Sequence, residues 1–363
     1  TLSRQGGDEF LVVLTGVHDM DSIASTAQEI LQGMEKAFQI GIHALSCSFS
    51  IGIAVFPEDG SDFDTLLLKA DTAMYHAKQV GRNTYRFFTE RMNADAHERL
   101  HIQNCLRHAI ERQQLQLHYQ PQVELSSGRV TGAEALLRWN CPELGQVAPD
   151  RFIPIAEESG LIIPIGEWVL REACQQAQAW RQAGRPPLVV AVNMSALQFR
   201  RSDPVALVSQ VLAETRLPAS CLELELTESL LVENVEEVLE TLERLKALGG
   251  RLSIDDFGTG YSSLSYLKRF PIDKLKIDRA FVRDVAINAD DAAIVNVIIN
   301  LGHTLQLSVI AEGVEDTSQL DSLIQKGCDN VQGYLFGRPM PAHQFASSLG
   351  TDGMWEGAPS QTG

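Results

Sequence analysis

The sequence lacks the features that mark membrane-spanning, secreted or zinc-binding proteins. It has no apolar run approaching about 18 residues, the length a helix needs to cross a bilayer. The N-terminal residues lack the apolar core of a signal peptide. The six cysteines form no C-x-x-C pair and show no zinc spacing. Scattered single cysteines are typical of reducing compartments, so we expect a cytoplasmic protein whose present segment makes no membrane contact.

An initiator methionine is also missing, and the first residues already resemble the inside of a domain. We therefore expect a fragment of a longer protein, whose upstream sensor or membrane anchor would lie outside this sequence. The 363 residues suggest two domains, at roughly 100–200 residues per domain.

Positive charge is scarce. Lys and Arg total 30 against 47 Asp and Glu, which gives a net charge of −17. Such a surface repels polyanions and argues against binding a nucleic-acid polymer, which depends on basic side chains. A small anionic substrate stays compatible with this charge if bound metal ions offset the acids locally. With 44% hydrophobic and 21% charged residues, the composition is that of a globular protein.

Residues 1–88 are predicted to form one α/β unit. A Gly6-Gly7-Asp8 turn precedes the apolar run that begins at Leu11, which predicts a β-hairpin. We further predict helices over 22–39 and 63–80, and paired strand over 45–56 with a break near Gly52. Residues 89–113 are predicted to form a linker helix with one packed stripe, made of Ile102, Leu106 and Ile110.

From residue 114 onward, short apolar strands alternate with amphipathic helices. Strands are predicted at 114–120, 129–138, 188–194, 221–227, 251–256, 273–278, 307–312 and 329–334. Helices are predicted at 162–183, 204–215, 234–248, 289–305 and 316–326. This order predicts a TIM-like (β/α)₈ barrel over 114–350. The first link is too short for a helix, so the first two strands should be antiparallel. Residues 351–363 are predicted to be a flexible tail.

Polar side chains follow or end seven consecutive predicted strands. Such barrels carry their active residues at this end of the strands. A single acid at a strand end is most often a helix cap or a solvated loop residue, but agreement among successive strands is hard to attribute to caps. The residues are Glu134, Asn193, Glu225 with Glu228, Asp255 with Asp256, Lys276, Glu312 and Gln332.

The donor types indicate the chemistry. Glu134, Asn193, Glu225, Asp255 and Asp256 are hard oxygen donors without His or Cys, a set that suits Mg²⁺ or Mn²⁺. Adjacent aspartates converge only where the strand ends and the backbone turns, which the following glycines permit. Two metal ions about 3.5–4 Å apart are usual in phosphodiester hydrolysis. The pattern therefore favours two-metal phosphoryl chemistry, with a lysine that supplies a compact positive charge.

Residues 114–350 resemble the EAL domain family, phosphodiesterases that hydrolyse cyclic di-GMP to linear pGpG in bacterial signalling. The motifs that carry the resemblance are Glu134-Ala135-Leu136 with Arg138, Asn193-Met194-Ser195, Glu225-Leu226-Thr227-Glu228, Asp255-Asp256-Phe257-Gly258-Thr259-Gly260, Lys276-Ile277-Asp278, Ala311-Glu312-Gly313 and Gln332-Gly333-Tyr334. They stand in the order of the family, and the residues found at predicted strand ends are among them.

The resemblance implies a role for each residue. Metal would be held by Glu134, Asn193, Glu225 and Asp255, with Asp256 at a second ion. Lys276 would orient the attacking water, and Glu312 would be either the general base or a further metal ligand. Substrate contacts would come from Arg138, Leu136 and Gln332. Glu228 would hold the loop 257–264, which resembles a dimerisation-linked control element and so implies a homodimer. Ca²⁺ is expected to inhibit, because its looser geometry misplaces the attacking water.

Residues 1–88 resemble the C-terminal part of a GGDEF domain, the diguanylate cyclase fold. Gly6-Gly7-Asp8-Glu9-Phe10 and Lys69-Ala70-Asp71 carry this resemblance. The segment that in the family precedes the hairpin, with a metal-binding Asp and GTP contacts, is absent. We therefore expect no cyclase activity from this chain.

A non-catalytic cyclic di-GMP receptor is the alternative to an enzyme. Receptors of this fold usually lose metal ligands or the Lys/Glu pair. Here Lys276, Glu312 and the ligand set are all present, which favours the phosphodiesterase.

Overall fold

The chain divides into two units, Thr1–His101 and Ile102–Gly363. The computed structural model describes residues 1–17, 19–34, 38–40, 43–45, 47–231, 234–258, 267–350 and 352–355. Within these ranges, no helix combines the length and the apolar character that crossing a bilayer requires.

The first unit opens with the predicted hairpin, whose strands β1 and β2 pair antiparallel across the turn at Gly7. The helix predicted over 22–39 is wrong at its C-terminal end. It ends at Gly33, and Phe38 lies instead in a short antiparallel pair of strands. The elements are β1 (Leu2–Gly6), β2 (Glu9–Val12), α1 (Met20–Gly33), β3 (Phe38–Ile40), β4 (His43–Leu45), β5 (Ile51–Ile53), α2 (Phe63–Gln79) and β6 (Tyr85–Phe87).

Gly52 lies inside strand β5, which corrects the predicted break at this position. A Cβ atom at Gly52 would lie 1.8 Å from the carbonyl oxygen of Ala70 and 2.2 Å from the backbone nitrogen of Met74. Helix α2 therefore crosses the strand at backbone contact distance. Glycine is required at position 52 because any side chain would collide with the helix. The predicted break would instead have required glycine for its backbone freedom.

Helix α3 (Glu90–Leu106) begins in the first unit and ends in the second. It ends earlier than the predicted limit at residue 113, because turns occupy 107–113. The predicted stripe is confirmed in the second unit. Ile102 and Leu106 are buried in its core, and Ile110 packs against that core half-buried.

The second unit is an α/β barrel closed by eight strands, as predicted. The first pair is antiparallel from Leu115↔Trp139 to Val123↔Val130, and the following strands pair in parallel until the last returns to the first. The barrel strands are β7 (Leu115–Glu124), β8 (Val130–Cys141), β10 (Val189–Met194), β11 (Leu222–Thr227), β12 (Arg251–Phe257), β13 (Lys274–Ile277), β14 (Ser308–Glu312) and β15 (Asn330–Gln332).

Helices cover the outside of the barrel. The five that were predicted agree with their predicted ranges to within two residues at each end, whereas α4, α6, α9 and α12, whose ranges follow, were not predicted. Side-chain caps begin several of them, among them Asp203 before α7 and the capping box of Asp316 and Gln319 at α11. The remaining elements are β9 (Gly145–Val147), α4 (Pro149–Ser159), α5 (Ile162–Gln182), α6 (Ala196–Arg201), α7 (Pro204–Thr215), α8 (Val235–Ala247), α9 (Arg279–Arg283), α10 (Ala289–Thr304), α11 (Thr317–Gln325), β16 (Met340–Pro341) and α12 (Ala342–Ser348).

The predicted flexible tail over 351–363 is wrong for residues 352–355. Trp355 is buried, packs on Phe345 with ring centroids 5.3 Å apart, and Met354 forms a β-bridge with Arg129. Burial of a large aromatic side chain ties this segment to the barrel. The rest of the predicted tail lies outside the described residues.

Candidate active site

The strand register brings the predicted polar residues to the same end of the barrel. Asn193 pairs with Glu225, and Glu312 pairs with Gln332 across parallel strands. Glu134 lies opposite Ala191, close to Asn193 on the neighbouring strand. Since parallel strands end at the same rim, these side chains share one small volume.

Lys276 is the centre of this volume and is only 1% exposed. Its Nζ lies 2.6 Å from Glu225 Oε2 and 2.6 Å from Glu312 Oε1. Asp255 Oδ1 follows at 3.1 Å and Glu134 Oε2 at 3.8 Å. One ammonium thus lies among four carboxylates, which leaves negative charge that a single lysine does not balance.

Both carboxylate oxygens of Glu134 accept hydrogen bonds from amides. Asn193 donates through Nδ2 to Oε1 across 2.7 Å, and Gln332 donates through Nε2 to Oε2. These contacts leave the remaining lone pairs of Glu134 and the carbonyl oxygen of Asn193 as available ligand atoms.

Asp255 and Asp256 do converge on one region, but the turn differs from the predicted one. Asp256 itself adopts a left-handed backbone with φ of +53°, where the register of β12 shifts between Ile254 and Phe257. Its N–H donates to Asp255 Oδ1 across 2.9 Å. A β-bulge at Asp256 therefore redirects its side chain, two residues before the glycine that was expected to permit the turn.

Arg138 and Leu136 follow Glu134 at alternate positions of β8, so the three residues share one face of the strand. Leu136 and Arg138 are half-buried, and Arg138 donates to the carbonyl oxygen of Leu137 across 2.8 Å. Burial lowers the pKa of Arg138, but a guanidinium keeps its proton in proteins. The guanidinium is thus a cation beside the carboxylate cluster.

Glu228 occupies a short 3₁₀ turn, Glu228–Leu231, directly after β11. It is 4% exposed, and its Oε2 accepts a hydrogen bond from the backbone N–H of Gly258 across 2.9 Å. The expected contact with the loop after β12 is therefore present at the first residues of that loop. Its continuation, residues 259–264, lies outside the described part of the chain.

Burial dominates the electrostatics of three acids. It raises the pKa of Glu225 well above its usual range, and repulsion from Glu134 adds to this effect. Burial likewise raises the pKa of Glu312 to about 8, against the opposing attraction of Lys276. For Asp256, burial and a shared hydrogen bond with Asp278 raise the pKa to about 7. The raised pKa values favour the protonated forms of these carboxyl groups in the metal-free site, and a bound cation would favour the charged forms.

The pKa values of Glu134 and Lys276 shift in the directions that favour their charged forms. Burial alone would raise the pKa of Glu134, but Lys276 and the amide hydrogen bonds lower it below its usual range. Burial alone would lower the pKa of Lys276, but the carboxylates raise it well above its usual range. The lysine therefore remains an ammonium in this site.

The residues present fit a hard divalent cation. Glu225 Oε1 is buried and has no hydrogen-bond partner among the described residues, so a polar atom is left unsatisfied there. Glu134 and Asp255 interact electrostatically with Glu225, and Asn193 contacts Glu134, so the cluster offers the carboxylate and amide oxygens that Mg²⁺ and Mn²⁺ prefer.

Sequence reasoning missed a layer of buried polar residues below the rim. This layer consists of Gln122, Glu223 and Lys274. Gln120 is also buried but pairs with Glu134 across β7 and β8, and Asp278, half-buried, lies beside Asp256. A signal was available, because Gln120 and Gln122, Glu223 and Glu225, and Lys274 and Lys276 repeat polar residues at spacing two within apolar strands.

Comparison with protein families identifies both units. The family model described as EAL domain matches residues 103–339, and that described as diguanylate cyclase, GGDEF domain, matches residues 1–84. The second match covers the part of the chain where the sequence resembled the C-terminal part of such a domain.

Two curated relatives are similar over nearly the whole chain. The bifunctional diguanylate cyclase/cyclic di-GMP phosphodiesterase MucR of Pseudomonas aeruginosa is 48% identical over 349 residues, which cover 96% of this chain and 51% of MucR. The cyclic di-GMP phosphodiesterase PdeR of Escherichia coli is 43% identical over 344 residues, or 95% of this chain and 52% of PdeR. The chain thus spans about half the length of these relatives.

A solved structure of the PaMucR phosphodiesterase in complex with c-di-GMP is similar in fold and sequence. It shares 50% identity with a TM-score of 0.66, and the alignment covers 68% of this chain and 99% of that one.

Proposed function

The chain belongs to the EAL domain family, and we propose that its barrel hydrolyses cyclic di-GMP to linear 5′-pGpG with the help of bound divalent metal ions. The observation that carries this proposal is the cluster around Lys276, where four carboxylates lie within 3.8 Å of one ammonium. A cyclic dinucleotide carries two negatively charged phosphodiesters, which the acidic side chains alone would repel. The positive charges of bound metal ions, Lys276 and Arg138 would offset this repulsion.

Glu134, Asn193, Glu225 and Asp255 would hold one metal ion, and Asp256 would contribute to a second. When bound there, Mg²⁺ or Mn²⁺ would supply a more acidic water and positive charge for the attacking and leaving oxygens. Glu225 Oε1, which has no hydrogen-bond partner among the residues that the structure describes, supports this assignment, because a buried oxygen of this kind is costly unless a donor or a cation binds it. Ca²⁺ should bind and inhibit, because its longer bonds and flexible geometry displace the reacting groups.

In the proposed reaction, the oxygen of a water attacks one phosphorus atom and the bond from phosphorus to the 3′ oxygen breaks. We assign the acceptor of the water proton to Glu312, whose carboxyl group would lose its own proton when metal ions bind beside it and could then take one from the water. Lys276, held 2.6 Å from Glu312, fixes the orientation of that carboxylate and of the water. The leaving 3′ oxygen takes a proton from solvent, so charge and atoms balance.

Substrate positioning falls to residues at the edge of the cluster. The Arg138 guanidinium can pair with a phosphate, and Leu136 on the same strand face offers an apolar contact to the dinucleotide. Gln332 orients Glu134 by donating to it, and its position beside the cluster also allows contact with substrate or water.

We further propose a homodimer formed through the barrel unit, controlled by the segment that follows Gly258, and a cytoplasmic location for this part of the protein. Analytical ultracentrifugation with and without cyclic di-GMP tests the first point. A monomer at all concentrations would refute it.

One assay separates the enzyme from a receptor. The chain is incubated with cyclic di-GMP and Mg²⁺, Mn²⁺ or Ca²⁺, with and without EDTA, and pGpG is measured by chromatography. The proposal expects pGpG with Mg²⁺ or Mn²⁺ and none with EDTA. Tight binding of cyclic di-GMP without any pGpG formation would refute the phosphodiesterase hypothesis and favour a non-catalytic receptor.

A further inference from the structure

A second buried polar layer lies directly below the carboxylate cluster and holds no predicted metal ligand. Glu223 is 0% exposed, and its carboxylate oxygens lie 2.9 and 2.8 Å from Lys274 Nζ. Gln122, 1% exposed, accepts from Lys274 Nζ through Oε1 at 3.4 Å. Its Nε2 donates to Gln332 Oε1 across 3.1 Å, and Gln332 then donates to Glu134.

These contacts form a continuous chain, Lys274–Gln122–Gln332–Glu134, which we name the amide chain. Its first member is an ammonium and can only donate, whereas its last member is a carboxylate that accepts. The side-chain amides of Gln122 and Gln332 lie between them. Each amide can face donors to acceptors on both sides in only one of its two flipped orientations. The direction of every hydrogen bond in the chain is therefore determined by its two charged ends.

The direction matters at Glu134. With Gln332 in the observed orientation, an N–H group faces the carboxylate, and a second contact from the same Nε2 reaches Gln120 Oε1 across 3.0 Å. If the Gln332 amide were reversed, its carbonyl oxygen would face the carboxylate and repel it. Glu134 would then lose the hydrogen bond that holds one of its oxygens in place.

We infer that Gln122, oriented by the buried Lys274–Glu223 pair, is a positioning residue that fixes the Gln332 amide and thereby presents Glu134 for metal binding. Gln122 touches neither metal nor substrate, and it acts through Gln332. The inference rests on the proposed function only in taking Glu134 as a metal ligand. Residues that orient metal ligands commonly contribute about 10–100-fold to metal affinity or activity.

The test uses two variants of the full chain. Gln122→Met keeps the volume of the side chain and removes both links. Gln122→Glu keeps an acceptor for Lys274 but, as a carboxylate, cannot donate to Gln332, so the Gln332 amide is driven to reverse. Ser253→Ala is the matched control, because Ser253 is a fully buried polar residue of a barrel strand outside the amide chain. Mg²⁺ and Mn²⁺ affinities are measured by calorimetry without substrate, and thermal unfolding is followed in parallel.

We expect both Gln122 variants to bind metal about 10–100-fold more weakly than the wild type. Simple attraction between charges would predict tighter binding by Gln122→Glu, so weakening by this variant isolates the effect of orientation. Turnover should be restored by saturating Mn²⁺ with an unchanged KM. Ser253→Ala should keep the wild-type metal affinity.

The inference is overturned if Gln122→Glu binds metal as tightly as the wild type, or if Ser253→Ala weakens binding to the same extent. It is equally overturned if the wild type binds neither metal. If Gln122→Met does not fold, Gln122→Glu decides, because it retains the contact with Lys274. A wild type that binds metal but produces no pGpG refutes the proposed function alone, and the affinity series still decides the role of Gln122.

Discussion

The carboxylate of Glu228 accepts a hydrogen bond from the backbone N–H of Gly258 across 2.9 Å, and this contact ties the turn after one barrel strand to the end of the next. Gly258 follows Asp255 and Asp256 closely along the chain and has a φ of +101°. The backbone that carries both aspartates is therefore held from the neighbouring strand end. A hydrogen bond to a buried charged acceptor contributes about 1.5–3 kcal/mol.

The first prediction concerns Glu228→Gln, which keeps the shape of the side chain and removes its charge. We expect turnover at limiting Mg²⁺ to fall roughly tenfold to a hundredfold, because the weakened contact misplaces Asp255 and Asp256. High Mg²⁺ should partly restore the rate, since metal binding favours the ordered backbone by mass action. Initial rates of pGpG formation over a Mg²⁺ titration measure this.

Glu134→Ala is the comparison for this titration. It removes a proposed metal ligand, so added Mg²⁺ should not restore its rate. An equal response of both variants to Mg²⁺ would mean that Glu228 acts as an ordinary ligand and that the contact with Gly258 does not control the site.

The second prediction concerns the ligands themselves. Glu134→Ala and Asp255→Ala should each lower the rate by about a thousandfold, which corresponds to a loss of about 4 kcal/mol of transition-state stabilisation. Circular dichroism should stay close to that of the wild type, because these acids serve the site and contribute little to the apolar core. Glu240→Ala, a change at an exposed acid on helix α8, is the control and should be neutral. Near-normal hydrolysis by either ligand variant would rule out its assignment.

Much of this site could be predicted from the sequence because barrel geometry constrains it. Alternating strands and helices place strand ends at one rim, so Glu225 and Asp255 meet there whatever the intervening residues are. The helix α10, predicted at 289–305 and found at Ala289–Thr304, buries Val295, Ile298, Ile299 and Gly302, whose helical spacing is visible in the sequence. The Asn288 side chain caps its first turn.

What could not be predicted depends on tertiary contacts. The positive φ of Asp256 arises from a bulge, which local sequence does not reveal in a run that also suits a regular strand. Gly52 looked like a break because its contact with helix α2 involves residues far along the chain. Gln122 was missed because a polar residue inside an apolar strand gains a partner, here Lys274, only when the barrel closes.

The third prediction concerns pH in the metal-free protein. The pKa of Glu312 is raised to about 8, so the folded state holds a proton that the unfolded state releases near its usual, lower pKa. Its contribution to stability is therefore complete below the unfolded pKa and is lost as pH rises through about 8. In EDTA, the melting temperature should fall as pH rises across this window, and saturating Mg²⁺ should reduce the fall because it replaces the proton.

Glu312→Gln isolates this contribution, since the amide does not titrate. Its melting temperature in EDTA should vary less with pH than that of the wild type over the same range. A wild-type melting temperature that rises with pH in this window, or a pH profile identical to that of Glu312→Gln, would contradict the prediction.

The last prediction concerns Lys276→Met, which removes the central ammonium and keeps most of the apolar stem. Without metal, Glu225 and Glu312 lose the cation that lies 2.6 Å from each. Breaking a buried ion pair by removing one partner typically costs about 3–5 kcal/mol. We therefore expect a clear loss of unfolding free energy in urea with EDTA present.

Mg²⁺ should stabilise Lys276→Met more than it stabilises the wild type, because divalent cations then supply the only positive charge inside the cluster. Turnover should stay low even where stability is restored, since the group that orients Glu312 and the water is gone. Lys246→Met is the matched control: it breaks the ion pair with Asp273, which lies outside the cluster, and its stability loss should not depend on Mg²⁺. Mg²⁺ could instead stabilise Lys276→Met no more than it stabilises the wild type. In that case the metal ions do not neutralise the carboxylates that the ammonium neutralises, and the assignment of the cluster as a metal site is wrong.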